Sequence, residues 1–199
     1  NLPSTVYVTT GKLQSDELIW ADQLFYLLTS NNSERLKIES LGLGMIGNVK
    51  RKVRADIAHD FINKMKNLPS SEKNRRIDTF LSDNNLSQSS DVFKNSPFKM
   101  LSIEDLRELA QDRLVTIGSH TVNHDILTQV PFQEAEREIG ESKRMLEEFV
   151  GRPIHHFSYP NGNYNDELAE QVRNYGYLSA VTTCYDDILL GDPFRMGRL

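Results

Sequence analysis

Short β-branched and aromatic segments alternate with longer segments of helical periodicity along this chain. The strand-like segments are STVYVTTG at residues 4–11, LVTIG at 114–118, IHHFSY at 154–159 and LSAVTT at 178–183. Strands separated by helices of roughly 10–20 residues are typical of βαβ units with a parallel sheet. The pattern therefore predicts an α/β fold, either a barrel or a doubly wound layer.

The helices between the later strands have clear sequence signals at their ends. Ser102 begins a capping-box-like S-x-x-D ahead of IEDLRELAQ. Pro131 precedes a long amphipathic segment that stops at Gly151. Asn165 precedes a shorter helical segment that stops at Gly176.

The region between the first two strands is longer and less regular. SDELIWADQLFYLL has helical spacing with Ser15 or Asp16 as its cap, and residues 48–67 and 71–83 also have helical patterns. Residues 84–98 are rich in serine and asparagine and are typical of a loop. We interpret residues 30–98 as a helical and loop elaboration within a single domain that spans residues 1–199.

The composition argues against several classes of protein. The formal net charge of −5 argues against a nucleic-acid surface. No apolar run approaches the roughly 20 residues of a membrane helix, so no membrane segment is predicted. The single cysteine, Cys184, excludes an internal disulfide and a cysteine-rich zinc finger.

Polar loops follow three of the predicted strands. LVTIG leads into Ser119 and His120, HHFS leads into Tyr159 and Pro160, and AVTT leads into residues 184–187. In parallel α/β folds the reactive groups gather at the carboxyl ends of the strands. We therefore expect these loops to share one rim of the sheet.

The first of these loops carries His120 and His124. On one helical turn, residues four apart face the same way, and two imidazoles so placed can reach one zinc ion. A catalytic zinc takes a third protein ligand as well, and the H-E-x-x-H mechanism is unsupported because Thr121 follows His120. The alternative is a hydrogen-bonded turn in which one histidine caps the next helix.

The second loop, FSYPNGNYND, has the composition of a tight turn. Its exposed backbone N–H groups could hold an oxyanion, or the segment could be a turn with an aromatic plug. His155 and His156 precede it, and packing or surface roles are the default for both.

Together these motifs resemble the polysaccharide deacetylase (NodB-homology) family of carbohydrate esterases. The resemblance lies in GSHTVNH, in SKRMLEEFVGRPIHHFSYPNGNYND and in YGYLSAVTT, with weaker similarity in FKMLSIEDLRELA and DPFRMGRL. It implies a distorted, incomplete (β/α) barrel of about seven strands. It also implies a hydrolase acting on non-peptide C–N bonds, which removes acetyl groups from N-acetylated or O-acetylated oligo- or polysaccharide with a divalent metal, most often zinc.

The resemblance also assigns residues. It implies that His120 and His124 are metal ligands, and that the loop of Tyr159 and Pro160 holds the tetrahedral oxyanion through the Tyr159 N–H. Ser158 stands where many members have an arginine that braces the catalytic base, and we expect Arg198 to replace that arginine. A cell-envelope or secreted location is also implied.

Two elements of the family pattern are missing from this sequence. The T-F-D-D-G motif, which supplies the base and the third metal ligand, would precede STVYVTTG, and the L-x-x-H segment with the general acid would follow Leu199. Asp186 and Asp187 do not replace the missing pair, because their strand already has its own place in the family order. We expect a domain truncated at both ends, lacking its first strand and inactive or nearly so by itself.

Two other functions compete with the deacetylase. The chain could be a non-catalytic glycan-binding or structural member of the same fold, or an unrelated α/β protein with a structural zinc site. The sequence does not identify the glycan or the oligomeric state.

Overall fold

The computed structural model describes residues 2–13, 15, 17–30, 36–42, 51–87, 91–94, 96–183 and 191–197. The chain divides into two compact units. The first comprises Asn1–Gln14 with Leu101–Leu199, and the second comprises Ser15–Met100. Among the described residues, no helix combines the length and the apolar character needed to cross a membrane.

The first unit contains a parallel sheet whose strands follow one another in chain order. The strands are β1 Ser4–Val8, β2 Val115–Ser119, β3 His156–Ser158, β4 Ser179–Thr182 and β5 Met196–Gly197. All four pairings are parallel, with Val6 opposite Ile117, Ser119 opposite Phe157 and Phe157 opposite Ala180. Four of these strands were predicted; β5 was not.

The sheet is open in the part of the chain that the structure describes. There β1 pairs only with β2, and β5 pairs only with β4. The α/β class with a parallel sheet is therefore confirmed, whereas a barrel of about seven strands is not found among the described residues.

Three helices connect these strands at the expected places. They are α4 Ile103–Gln111, α5 Phe132–Val150 and α6 Asp166–Asn174; the three helices that come earlier in the chain belong to the second unit. The capping box at Ser102 is present, since its side chain accepts from the Asp105 N–H and Asp105 accepts from the Ser102 N–H. Gly151 ends α5 in the left-handed conformation, with φ of 69°.

The core of the first unit lies between the sheet and these helices. Helices α4 and α5 pack on β2, and α6 packs on β4. Phe157 is fully buried, and its ring lies 5.4 Å from that of Tyr159 and 5.2 Å from that of Tyr177. Burying the apolar sides of α5 and the sheet together fixes where the ends of β2 and β3 lie.

The second unit is helical and has its own core. It contains α1 Trp20–Thr29, α2 Arg51–Met65 and α3 Ser70–Asp83, and Leu24, Phe61 and Phe80 are among its buried side chains. The compact unit begins at Ser15, so the predicted boundary at residue 30 left out α1. The predicted cap is also wrong, because α1 begins after Ile19, which makes no side-chain cap.

Candidate active site

The carboxyl ends of β1, β2 and β3 meet at one edge of the sheet. The His120 N–H donates to the Val8 carbonyl at 3.0 Å, and the His120 ring lies beside the end of β3. The end of β4 contacts the same region, because the Thr182 hydroxyl donates to the Gly162 carbonyl at 2.7 Å. The shared rim is confirmed for the histidine loop and the Tyr-Pro loop, whereas residues 184–187 lie outside the described residues.

The histidine loop is irregular rather than helical. Thr121 and His124 both have left-handed backbone, with φ of 67° and 62°, and the His124 N–H donates to the Thr121 hydroxyl at 3.0 Å. The helical geometry considered for this pair is therefore not found, whereas the loop that was predicted after β2 is. The loop nevertheless brings the two rings together, with centroids 4.7 Å apart and planes at 79°.

A hydrogen bond fixes the orientation of the His120 ring. Its Nδ1 lies 2.7 Å from the Ser158 carbonyl oxygen, which can only accept. The proton therefore sits on Nδ1, and Nε2 carries the lone pair. Metal-binding histidines commonly donate their other ring N–H to a backbone carbonyl in this way.

The pair fits a divalent metal as two of its ligands. Neutral imidazoles are common zinc ligands, and the two rings are close enough to share one ion. Among the described residues, no group of three or more His, Cys, Asp or Glu side chains could hold a metal ion. A third ligand would therefore have to come from outside the described residues.

A buried carboxylate on α5 supports the loop between the histidines. Glu138 is 5% exposed, and its Oε2 accepts from the N–H groups of Val122 at 2.9 Å and Asn123 at 2.8 Å. Its Oε1 accepts from the Asn123 side-chain amide at 2.7 Å. Burial raises the pKa of Glu138, and the hydrogen bonds from Asn123 and Val122 oppose that rise.

The 3-10 turn Thr10–Lys12, which follows β1, holds the opposite side of the same loop. The Thr10 N–H donates to the Thr121 carbonyl at 3.1 Å, and the Gly11 N–H donates to the Val122 carbonyl at 2.8 Å. A Cβ on Gly11 would lie only 2.7 Å from the Val122 carbonyl oxygen, so this approach requires glycine.

Neither Glu138 nor Gly11 was predicted from the sequence to contact the histidine loop. Glu138 lies on the buried face of α5, which it shares with Ala135, Ile139 and Ser142. A charged residue within a buried helical stripe is a signal that could have identified it.

Tyr159 does not present its backbone N–H to the rim. That N–H donates to the Val181 carbonyl at 3.1 Å, which extends the pairing of β3 with β4. The Tyr159 side chain is 1% exposed, its hydroxyl donates to the Phe194 carbonyl at 3.2 Å, and burial raises its pKa. The structure does not support the Tyr159 N–H as an oxyanion donor, and the alternative of an aromatic plug describes its side chain.

The remainder of the Tyr-Pro loop is held tightly against the end of β4. Pro160 is buried and begins a single 3-10 turn in which Asn161 has left-handed backbone, with φ of 58°. The Thr183 hydroxyl donates to the Asn161 carbonyl at 3.1 Å, and a Cβ on Gly162 would clash with that hydroxyl.

The structure places some of the other predicted site residues and does not describe the rest. Ser158 is buried and acts through its carbonyl, as described for His120. His156 contacts the Ser179 hydroxyl at 2.8 Å, which agrees with a packing role. Arg198 and Cys184 lie outside the described residues, so the prediction for Arg198 stays a prediction.

Comparison with known proteins places these features in a family. The model of the polysaccharide deacetylase family matches residues 71–180, which is more than half of the chain. The protein YxkH of Bacillus subtilis (strain 168), which carries the family's name, is 32% identical over 83 residues. That match covers 42% of this chain and 29% of YxkH, so the chain spans well under half of that relative's length.

Solved structures of deacetylases are similar to this chain at low sequence identity. The Streptococcus pyogenes deacetylase PplD is 24% identical with a TM-score of 0.46, over 53% of this chain and 46% of that chain. A polysaccharide deacetylase from Bacillus cereus is 18% identical with a TM-score of 0.44, over 100% of this chain and 63% of that chain. Family membership rests instead on the family model, whose match includes both histidines and the Tyr-Pro loop. The chain belongs to the polysaccharide deacetylase family.

Proposed function

We propose that this chain is the deacetylase domain of a metal-dependent enzyme that removes acetyl groups from N-acetylated or O-acetylated carbohydrate. Family membership supports carbohydrate deacetylation in general. The observation that carries the metal dependence is the bond from His120 Nδ1 to the Ser158 carbonyl, with the His124 ring 4.7 Å from that of His120. In the neutral ring, this arrangement places the lone pair on His120 Nε2.

His120 and His124 would hold the metal. A bound zinc ion lowers the pKa of water toward neutrality and polarises a carbonyl oxygen, which is the chemistry that amide or ester hydrolysis needs. The Ser158 carbonyl keeps His120 in the tautomer and orientation that ligation requires.

The Asn161 N–H is our candidate for the oxyanion donor, in place of the Tyr159 N–H. It lies on the same loop, and Thr183 and Thr182 fix that loop through the carbonyls of Asn161 and Gly162. Donors that are already in place need no reorganisation as charge develops on the acetyl oxygen. Loss of one such donor typically costs about 2.7–4 kcal/mol of transition-state stabilisation.

The described residues do not complete the catalytic set. The histidine pair lacks a third metal-binding side chain among them, and the general base and acid predicted by the family pattern are not in this sequence. We therefore expect the 199-residue chain by itself to release little or no acetate.

Acetate release from chitin oligomers, with zinc present, tests the proposed activity in the protein to which this domain belongs. We expect release that His120→Ala and His124→Ala abolish and that His155→Ala, an exposed neighbour of the site, leaves intact. Full activity in either of the first two variants would contradict the metal role. Absence of release from N-acetylated and O-acetylated substrates alike would favour the non-catalytic glycan-binding alternative.

A further inference from the structure

We propose that Glu138 is a positioning residue whose carboxylate holds the loop of residues 120–124 in the conformation that receives the metal. The proposal rests on the proposed function, since it takes His120 and His124 as metal ligands. It concerns a residue on a helix that follows the loop, outside the histidine motif itself.

The contacts of Glu138 are concentrated on the two residues in the middle of the loop. One carboxylate oxygen accepts both backbone N–H groups, from Val122 and Asn123, and the other accepts the Asn123 side-chain amide. A buried carboxylate is costly unless it is hydrogen-bonded, and these three donors supply the bonds. Three hydrogen bonds thus hold the loop against the Glu138 carboxylate.

The loop conformation requires such support. Thr121 and His124 have left-handed backbone on either side of the two anchored residues, and a β-branched residue such as Thr121 rarely adopts it. Without a fixed partner for the Val122 and Asn123 N–H groups, other backbone conformations become accessible and the two rings separate.

The Val122 backbone is held from both directions. Its N–H donates to Glu138, and its carbonyl accepts from Gly11 at 2.8 Å. The Gly11 contact comes from the 3-10 turn Thr10–Lys12 that follows β1, and the Glu138 contact comes from α5. Only the second depends on a side chain, so it is the one that substitution can remove cleanly.

Three substitutions separate the contributions of Glu138. Glu138→Ala removes all three acceptor contacts. Glu138→Asp keeps the charge but shortens the side chain by one methylene group, so the carboxylate no longer reaches both N–H groups. Glu138→Gln keeps the length and one oxygen for the two N–H groups, and the Asn123 amide can turn to present its oxygen to the new NH₂ group.

The test combines amide hydrogen exchange by NMR in the metal-free chain with a titration of zinc alone. We expect Glu138→Ala to speed exchange at Val122 and Asn123 on the order of tenfold or more, and to raise the zinc Kd by about 10- to 100-fold. Glu138→Asp should change both in the same direction, and Glu138→Gln should restore both to near the parent values. Glu141→Ala, at an exposed position on the same helix, is the matched control and should match the parent.

Several results would overturn the proposal. It fails if Glu138→Ala or Glu138→Asp keeps parental exchange at Val122 and Asn123 together with parental zinc affinity. It also fails if Glu138→Gln is as impaired as Glu138→Ala, because charge rather than position would then govern metal binding. If Glu138→Ala does not fold, as judged by exchange at the buried Phe157 amide, the Asp and Gln variants decide the matter.

The two proposals can fail separately. If the parent chain binds no zinc, the two histidines do not form a metal site by themselves, while exchange at Val122 and Asn123 still reports whether Glu138 holds the loop. If the parent binds zinc through both histidines and the Glu138 variants bind it equally well, only the positioning role is wrong.

Discussion

At the residue scale, Gly11 is a position where the structure leaves no room for a side chain. A Cβ there would lie 2.7 Å from the Val122 carbonyl oxygen and 2.9 Å from the Val122 side chain. Because the first of these atoms belongs to a backbone held by Glu138, it cannot move aside easily. We expect Gly11→Ala to lower the free energy of unfolding by about 1–3 kcal/mol, measured by urea denaturation.

Gly140 in α5 provides the control for that substitution. A Cβ on Gly140 would also clash, but with the ring of Tyr175, which is 38% exposed and free to turn away. Alanine also suits a helix interior better than glycine, by about 0.5–1 kcal/mol. Gly140→Ala should therefore be nearly neutral, and a larger loss for Gly140→Ala than for Gly11→Ala would contradict this account of the loop.

His156 makes the stability of the chain depend on pH. Burial lowers its pKa from 6.5, and His155 lowers it further, so the folded protein binds this proton less tightly than the unfolded chain does. The contribution of neutral His156 is fully present above pH 6.5 and is lost as the pH falls through the lower, folded-state pKa. We expect His156→Gln to flatten the fall in unfolding free energy below pH 6.5; equal slopes for variant and parent in denaturation series would refute this.

Some residues of the site could be predicted from the sequence, and others could not. The histidine pair and the Tyr-Pro loop could be identified because their spacing is local and distinctive. The buried stripe of α5 could have marked Glu138 as unusual, but its role could not be predicted, since its partners are backbone N–H groups 15 and 16 residues away that only the packing of α5 brings near. The Tyr159 N–H was assigned from the motif, and its pairing with Val181 depends on a strand that lies 20 residues further along.

At the element scale, the start of α4 depends on a reciprocal cap. The Ser102 hydroxyl accepts from the Asp105 N–H at 3.0 Å. Ser102→Ala leaves that N–H without its side-chain acceptor and should lower the free energy of unfolding by about 1 kcal/mol. Ser71→Ala, in the exposed first turn of α3, is the control and should change it by less than about 0.5 kcal/mol in thermal or chemical denaturation.

Equal losses for the two serine variants would show that the cap contributes nothing measurable. The ends of α4, α5 and α6 could be predicted because caps depend on residues close together in sequence. The histidine loop could not be predicted as an element. Its two left-handed residues flank Val122 and Asn123, which Glu138 of α5 holds, and no local pattern indicates them.

At the scale of the whole molecule, two separate cores hold the chain. Phe157 is fully buried in the core of the first unit and Phe80 in that of the second, and no residue belongs to both clusters. We expect Phe157→Ala and Phe80→Ala each to cost about 3–5 kcal/mol in unfolding free energy. Hydrogen exchange should show the loss of protection within the unit that carries the substitution.

Zinc affinity also distinguishes Phe157→Ala from Phe80→Ala. Phe157 lies directly before Ser158, whose carbonyl orients His120, so Phe157→Ala should also weaken zinc binding, while Phe80→Ala should not. Loss of zinc affinity in Phe80→Ala alone would contradict this assignment of the cores.

The alternation of strands and helices was enough to predict the parallel α/β class. It did not predict β5, because a strand of two residues carries no periodicity. The boundary of the helical unit was also misplaced, since the helical pattern of α1 does not reveal that α1 packs on α2. Long-range packing decides both features.

The most direct test of the central claim is a calorimetric titration of the 199-residue chain with zinc. We expect one zinc ion per chain, with His120→Ala and His124→Ala each weakening binding on the order of tenfold or more, and His155→Ala binding as the parent does. Absence of zinc binding by the parent would show that the two histidines do not form a metal site by themselves, and parental affinity in either rim variant would show that the substituted histidine is not a ligand.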